Sequence, residues 1–454
     1  MDGRKLITKI LKHEKVERVA WVPFAGAHAG KLKGYSAKTI FHDTDKILEC
    51  LLAVNDYYSA DGQPVFFDLQ IAAEILGCSL KWHEKGPPSV DSHPLATDNW
   101  KIVPKIPEKL PLKTEGRLPF ILHVMKEFKK SVGTETALFG LICGPLTLAA
   151  HLRGSQFFMD LIKNKDFAEQ LLDYTMHVGK KMSEYYTEVG MDIIAIVDPV
   201  VSQVSPRVFK DYLMNPFREI LSYIKKQGVF NSFFVCGDAT RNLELMAETA
   251  PDSIFIDENI DMEYAKSIFG PKNIVLGGNI PLTTVMLYGT QQDNMKYVID
   301  LFDKIGTDDL IVAPGCDMPY EIPLDNVIGV TQAIHEPNKI REILKNYHGE
   351  QTETDLELPD YQSLEKPLIE VYTIDSDTCA ACQYFKITAF EAKERFQDKI
   401  DVKEYKSIYK ESIVRAKKMG LKHLPAMVIN GKLAYSSIIP DKDQFFEKIE
   451  QVID

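Results

Sequence analysis

The chain has 454 residues, 45% of them hydrophobic and 26% charged, a globular balance rather than a disordered or fibrous one. That length exceeds one ordinary core and suggests two or three domains, or one large barrel with an addition. A net charge of −12 argues against a nucleic-acid role, because phosphate binding wants a basic face.

The N-terminal stretch MDGRKLITKILKHEKVERVAWVPF is charged and amphipathic and has no signal-like apolar core. No run of ~18 apolar residues occurs, so no spanning helix is expected. A cytoplasmic protein is the expectation. Its seven cysteines then read as thiols, metal ligands or a redox pair rather than a structural disulfide framework.

In chain order, strand-like apolar runs fall at residues 19–24, 137–142, 193–197, 232–235, 253–257, 274–277 and 310–313. Amphipathic helical patterns lie between them, at 206–226, 240–249 and 293–305. Strand and helix in alternation mean a parallel sheet. Roughly 340 residues with about eight such units fit a (β/α)8 TIM barrel, here residues 1–348. A doubly wound open sheet is the alternative, but no glycine-rich dinucleotide fingerprint follows the first strand.

Two cysteines stand in Gly-flanked turns after strand-like runs: Cys236 in Phe233-Phe234-Val235-Cys236-Gly237-Asp238, and Cys316 in Ala313-Pro314-Gly315-Cys316-Asp317. Strand ends carry the chemistry of a barrel, and two thiols placed there can share a soft metal ion, zinc foremost. Cys50, Cys78 and Cys143 lie in helical or apolar surroundings and read as core. Asp198 ends the Ile196-Val197-Asp198-Pro199 run. It either orients a substrate or accepts a proton, or it caps the next element.

Residues 349–366, GEQTETDLELPDYQSLEK, are acidic and aperiodic and read as a linker. Beyond it, residues 367–454 give strand, helix, strand, helix, a hairpin around Asn430-Gly431 and a closing helix. The first of these helices opens with Cys379-Ala380-Ala381-Cys382. A CxxC at a helix N-terminus after a strand is a redox signature: the helix dipole favours the first thiolate, and the second thiol resolves the mixed disulfide. Cys379 is then the nucleophile and Cys382 the resolving thiol. Only one CxxC is present, so a local four-thiolate zinc knuckle is not available. With His423-Leu424-Pro425-Ala426 before the hairpin, this segment resembles the thioredoxin/glutaredoxin family, in which such a proline is cis and faces the thiols.

Residues 1–345 resemble the uroporphyrinogen decarboxylase superfamily. The motifs are Leu141-Ile142-Cys143-Gly144-Pro145-Leu146-Thr147, the run 192–199, Val204-Ser205-Pro206, Cys236-Gly237 and Gly277-Gly278-Asn279-Ile280. The resemblance implies a (β/α)8 barrel with one of two chemistries. Porphyrinogen decarboxylation needs an arginine cluster after the first strand, yet residues 23–33 hold no arginine, which disfavours it. The other branch moves a methyl group between a corrinoid protein and a thiol or similar heteroatom. That branch holds zinc through a His-x-Cys pair and a distant Cys.

This chain has both cysteines, Cys236 and Cys316, as metal ligands, but Phe234 stands at the histidine position. Period-2 geometry places Phe234 and Cys236 on one face of their strand. His28, after the first strand, is the leading third ligand. Asp238 reads first as an Asx cap and Glu258 as a solvent-facing loop residue. The expected function is zinc-activated methyl transfer. The cofactors are zinc and a corrinoid carried by a partner protein, with a small-molecule methyl donor or acceptor. The alternatives are a metal-free tetrapyrrole- or corrinoid-binding module with only the redox pair active, and a decarboxylase-like lyase using Asp198. The methyl donor, the acceptor and the oligomeric state, homo-oligomer included, stay open.

Overall fold

The computed structural model describes residues 1–349 and 356–453. Eight parallel strands form the first unit: β1 Ala20–Trp21, β2 Gly62–Pro64, β3 Ala137–Cys143, β4 Ile193–Val197, β5 Phe230–Phe234, β6 Ser253–Phe255, β7 Val275–Ile280 and β8 Leu310–Pro314. Their order is β1-β8-β7-β6-β5-β4-β3-β2. A helix follows each strand; those after β3 and β7, for instance, include Lys165–Glu188 and Gln291–Ile305. With helices outside and packed side chains inside, both faces of each strand are buried, which is why the strands read as unbroken apolar runs.

β2 was not visible in the sequence, because Gly62-Gln63-Pro64 has neither length nor alternation to mark it. Its place closes the ring. Asp61 N–H donates to the Trp21 carbonyl at 3.0 Å, and Trp21 N–H donates to Asp61 Oδ2 at 2.9 Å. Both guanidinium NH2 groups of Arg18 hold the same carboxylate at 2.6 Å. The barrel is therefore nearly closed rather than an open doubly wound sheet.

A second unit has its own four-stranded sheet: β9 Leu368–Thr373, β10 Asp401–Lys406, β11 Ala426–Ile429 and β12 Lys432–Ser436, in the order β10-β9-β11-β12. β9 pairs parallel with β10 and antiparallel with β11, and β12 completes the hairpin. Ile369, Val371, Phe385, Met427, Phe445 and Ile449 form its core. Of the acidic segment 349–366, residues 350–355 lie outside the described residues. Tyr361 is held against the second sheet by its hydroxyl, which donates to Glu370 at 2.6 Å.

The two units share a built contact. Tyr384, on the helix Ala380–Phe396, is 1% exposed and belongs to the barrel's core cluster. Its hydroxyl lies 3.2 Å from His151 Nδ1, and its ring meets Phe158 edge-on. Gln383 Nε2 donates to the Val90 carbonyl at 2.9 Å, and Tyr288 donates to the Ile408 carbonyl. Among the described residues, no helix is long and apolar enough to cross a membrane.

Candidate functional site

The C-terminal ends of the barrel strands face the second unit and enclose a cavity of about 430 Å³ with it. Cys236, after β5, and Cys316, after β8, are on its wall. The structure joins them in a disulfide spanning 80 residues, with Cα atoms 5.8 Å apart. The expectation put a shared metal between these two thiols; here the sulfurs are bonded to each other. That Cα separation lies in the ordinary range for a disulfide, so closing the bond needs no backbone movement.

The third-ligand question resolves physically. Phe234 is fully buried, stacks on Phe24 at 4.8 Å and meets Phe67 edge-on at 5.9 Å. With Phe255 these rings fill the barrel interior, and Phe67 lines the same cavity as the two cysteines. His28 is also fully buried, and both ring nitrogens are engaged. Nδ1 lies 3.0 Å from the Tyr320 carbonyl and Nε2 2.6 Å from the Tyr58 hydroxyl. Burial holds its pKa down at about 4, so the ring is neutral at physiological pH. A carbonyl only accepts, so Nδ1 carries the proton and Nε2 accepts from Tyr58. No lone pair is left for a metal.

The carboxylates are also committed. Asp238 accepts from Thr240 N–H at 3.1 Å and Thr240 Oγ1 at 2.6 Å, an Asx cap. Glu258 is half-buried rather than solvent-facing. It accepts the Leu282 N–H and lines a separate cleft with Asn259 and Tyr297. Burial, then repulsion from Asp257, raises its pKa to about 8. Asp257 in turn accepts from Gly237 N–H at 2.7 Å and so fixes the turn that carries Cys236. Asp198 is fully buried at the end of β4. It accepts from Leu146 N–H, Thr147 N–H and Thr147 Oγ1 at 2.9, 3.1 and 2.5 Å. Its carboxylate caps the helix Pro145–Arg153 and is not on the cavity wall, although burial pushes its pKa up to about 7. Cys50, Cys78 and Cys143 are buried core thiols.

Among the described residues, no three His, Cys, Asp or Glu side chains are grouped to hold a metal. A catalytic zinc site takes three protein ligands and one open position. Two sulfurs bonded to each other, with phenylalanine at position 234, do not fit that requirement.

Sequence reasoning missed Asp317. It follows Cys316 and lines the cavity, and its Oδ1 accepts from Gly26 N–H at 2.8 Å. Desolvation in the cavity wall raises its pKa to about 8, which favours the protonated form at neutral pH. A Cβ on residue 26 would lie 2.6 Å from that carboxyl, which explains the glycine. An acid directly after a strand-end cysteine was the available signal.

The opposite wall holds the other thiols. Cys379 and Cys382 line the same cavity, with Pro425 beside them after a cis peptide bond. Cys379 is the N-cap of the helix Ala380–Phe396, and its sulfur accepts the Cys382 N–H at 3.3 Å. Cys379 is partly exposed, whereas Cys382 is buried and its pKa is raised by that burial. Both are free thiols.

Comparisons with known proteins cover mainly the barrel. The uroporphyrinogen decarboxylase (URO-D) family matches residues 2–337. The methylcobamide:CoM methyltransferase MtbA of Methanosarcina acetivorans is 26% identical over 312 residues, 67% of this chain and 85% of that protein. The methylcobamide:CoM methyltransferase MtaA of Methanosarcina barkeri is 29% identical over 274 residues, 59% of this chain and 77% of that protein. A solved methyltransferase from Methanosarcina mazei shares the fold, with a TM-score of 0.68 and 23% identity over 74% of this chain and 99% of its own.

Proposed function

The chain belongs to the uroporphyrinogen decarboxylase family, and from that premise we propose that it is a corrinoid-dependent methyltransferase. It moves a methyl group between a corrinoid carried by a partner protein and a small thiol or other heteroatom. The observation that carries this reading is the likeness to the methylcobamide:CoM methyltransferases MtbA and MtaA across the barrel. The cavity supports it against porphyrinogen decarboxylation. Among the described residues no arginine lines it, and its wall lysine Lys85 is paired with Glu321 at 2.6 Å, so a polycarboxylate finds no free guanidinium there.

The corrinoid, presented by its partner protein, would supply the methyl group, and a thiolate held in the cavity would accept it. A largely apolar pocket enclosed by the second unit strips water from that thiolate and so sharpens it as a nucleophile. Zinc has no part in this scheme, because the donor set does not fit it. The second unit is read as thioredoxin-like and redox-active, with Cys379 attacking and Cys382 resolving.

The test uses the full chain with Cys236 and Cys316 reduced. It is mixed with methylcob(III)alamin and a panel of small thiols beginning with coenzyme M. Loss of the methylcobalamin spectrum together with a methylated thiol by mass spectrometry is expected. No turnover with any thiol refutes it. Phe234 favours a second reading, in which the barrel binds corrinoid without catalysis and the CxxC pair alone is active. Cobalamin binding without turnover selects that one.

A further inference from the structure

We infer that the Cys379/Cys382 dithiol is the reductant of the Cys236–Cys316 disulfide, acting within one chain across the cavity that both pairs line. The inference rests on the redox competence proposed above, but not on methyl transfer.

The two cysteine pairs line one cavity. One wall carries a disulfide and the other a dithiol. Nothing in the fold obliges this. A CxxC pair that serves foreign proteins presents its attacking thiol at an open surface, whereas Cys379, though partly exposed, lines the cavity under the barrel mouth. Gln203, on the loop after β4, donates to the carbonyl of Ala381, which lies between the two cysteines. Tyr384, two residues past Cys382, is sunk into the barrel core. The contact thus grips the redox turn itself rather than a remote face of its domain.

The chemistry balances without a further reagent. The Cys379 thiolate attacks one sulfur of the barrel disulfide. Cys316 is the more accessible target, since it is partly exposed and Cys236 is 5% exposed. The Cys236–Cys316 bond breaks, Cys236 leaves as a thiolate and takes up a proton, and a Cys379–Cys316 bond forms. Cys382, giving up its proton, then attacks Cys379. This forms the Cys379–Cys382 disulfide and releases Cys316 as the second barrel thiol. Two thiols are oxidised and one disulfide is reduced. Sulfur must touch sulfur in both steps, so the CxxC turn advances into the cavity during exchange, and a cavity occupant slows it. An external dithiol, of the class that reduces thioredoxin-like proteins, returns Cys379–Cys382 to the dithiol state.

The experiment uses the full chain. In Cys382→Ser the resolving step is lost, so acid quenching, alkylation and peptide mass spectrometry are expected to find Cys379 bonded to Cys316 or Cys236. Cys379→Ser gives no such species. A second measurement follows reduction of Cys236–Cys316 by a limiting external dithiol protein. The Cys379→Ser/Cys382→Ser double variant is expected to be slower by about tenfold or more, because the external dithiol no longer has a relay into the covered cavity. An equal rate in wild type and double variant, with no cross-domain disulfide in Cys382→Ser, overturns the inference. Cycling of the Cys379–Cys382 pair in a Cys236→Ala/Cys316→Ala chain separates the causes. If the pair cycles, only its target was misassigned. If it never cycles, redox competence and the inference fall together.

Discussion

Phe234→His puts the reading of the cysteine pair at risk. The substitution removes the ring stacked on Phe24 at 4.8 Å and edge-on to Phe67 at 5.9 Å. Each such aromatic contact contributes ~0.5–1.5 kcal/mol beyond burial. An imidazole nitrogen left unpaired among these phenyl groups costs a further ~1–3 kcal/mol. The metal-free variant is therefore expected to lose about 2–6 kcal/mol of stability. It also gains a third donor on the strand face of Cys236. With the disulfide reduced, a nitrogen and two thiolates meet the three-ligand requirement of zinc. Zinc at about a hundred times its dissociation constant would return ~2.7 kcal/mol. Urea unfolding with and without zinc, under reducing and oxidising conditions, is the assay, with bound metal counted by elemental analysis. Zinc stabilisation is expected only in the reduced variant, and wild type should hold no stoichiometric zinc. Stoichiometric zinc in wild type, lost in Cys236→Ser, would refute the reasoning, because the donor set read here would be wrong.

Two other outcomes follow from the same site. Asp317 has a folded pKa of about 8 against an ordinary value of 3.8. The folded state therefore holds its proton more tightly. Its contribution is full below about pH 4 and is lost as pH rises toward 8; Asp317→Asn should flatten that decline in unfolding free energy, and an unchanged pH profile would count against a buried neutral carboxyl. Tyr384→Ala empties a core position shared by the two units and should cost about 3–5 kcal/mol. It should also speed alkylation of Cys379 by loosening the barrel's cover, and unaltered thiol reactivity would mean that the cover does not depend on this side chain.

Much of the barrel is legible because both faces of its strands are buried, leaving apolar runs such as Ile193–Val197 and Leu310–Pro314. Gly62–Pro64 escapes because three residues closing a ring through Asp61 carry no periodic signal. The pairing of Cys236 with Cys316 is legible as proximity, since both sit just past strand ends. Its chemical form is not, because a shared metal and a disulfide need the same two sulfurs at similar spacing. His28 fails as a ligand for a reason no local pattern shows. Its partners, Tyr58 and the Tyr320 carbonyl, come from distant segments. The direction in which the CxxC turn faces is likewise a property of docking. It is decided by Tyr384 entering one core and Gln203 reaching Ala381, and neither residue carries a motif.

Phe234 and the CxxC pair bear on one problem. A metal would keep two strand-end thiolates bound and apart; a phenyl ring cannot. Without that ion, sulfurs on Cα atoms 5.8 Å apart are free to oxidise to the bond the structure contains. Any chemistry that needs them as thiols then depends on a reductant reaching a cavity that the second unit encloses. A dithiol on the covering unit itself already lines the wall opposite, as Cys379 and Cys382 do. The lack of a third ligand among the described residues and the presence of a facing dithiol are then two parts of one arrangement. In the proposed relay the thiol state of the barrel is set by electron supply to the second unit rather than by metal supply.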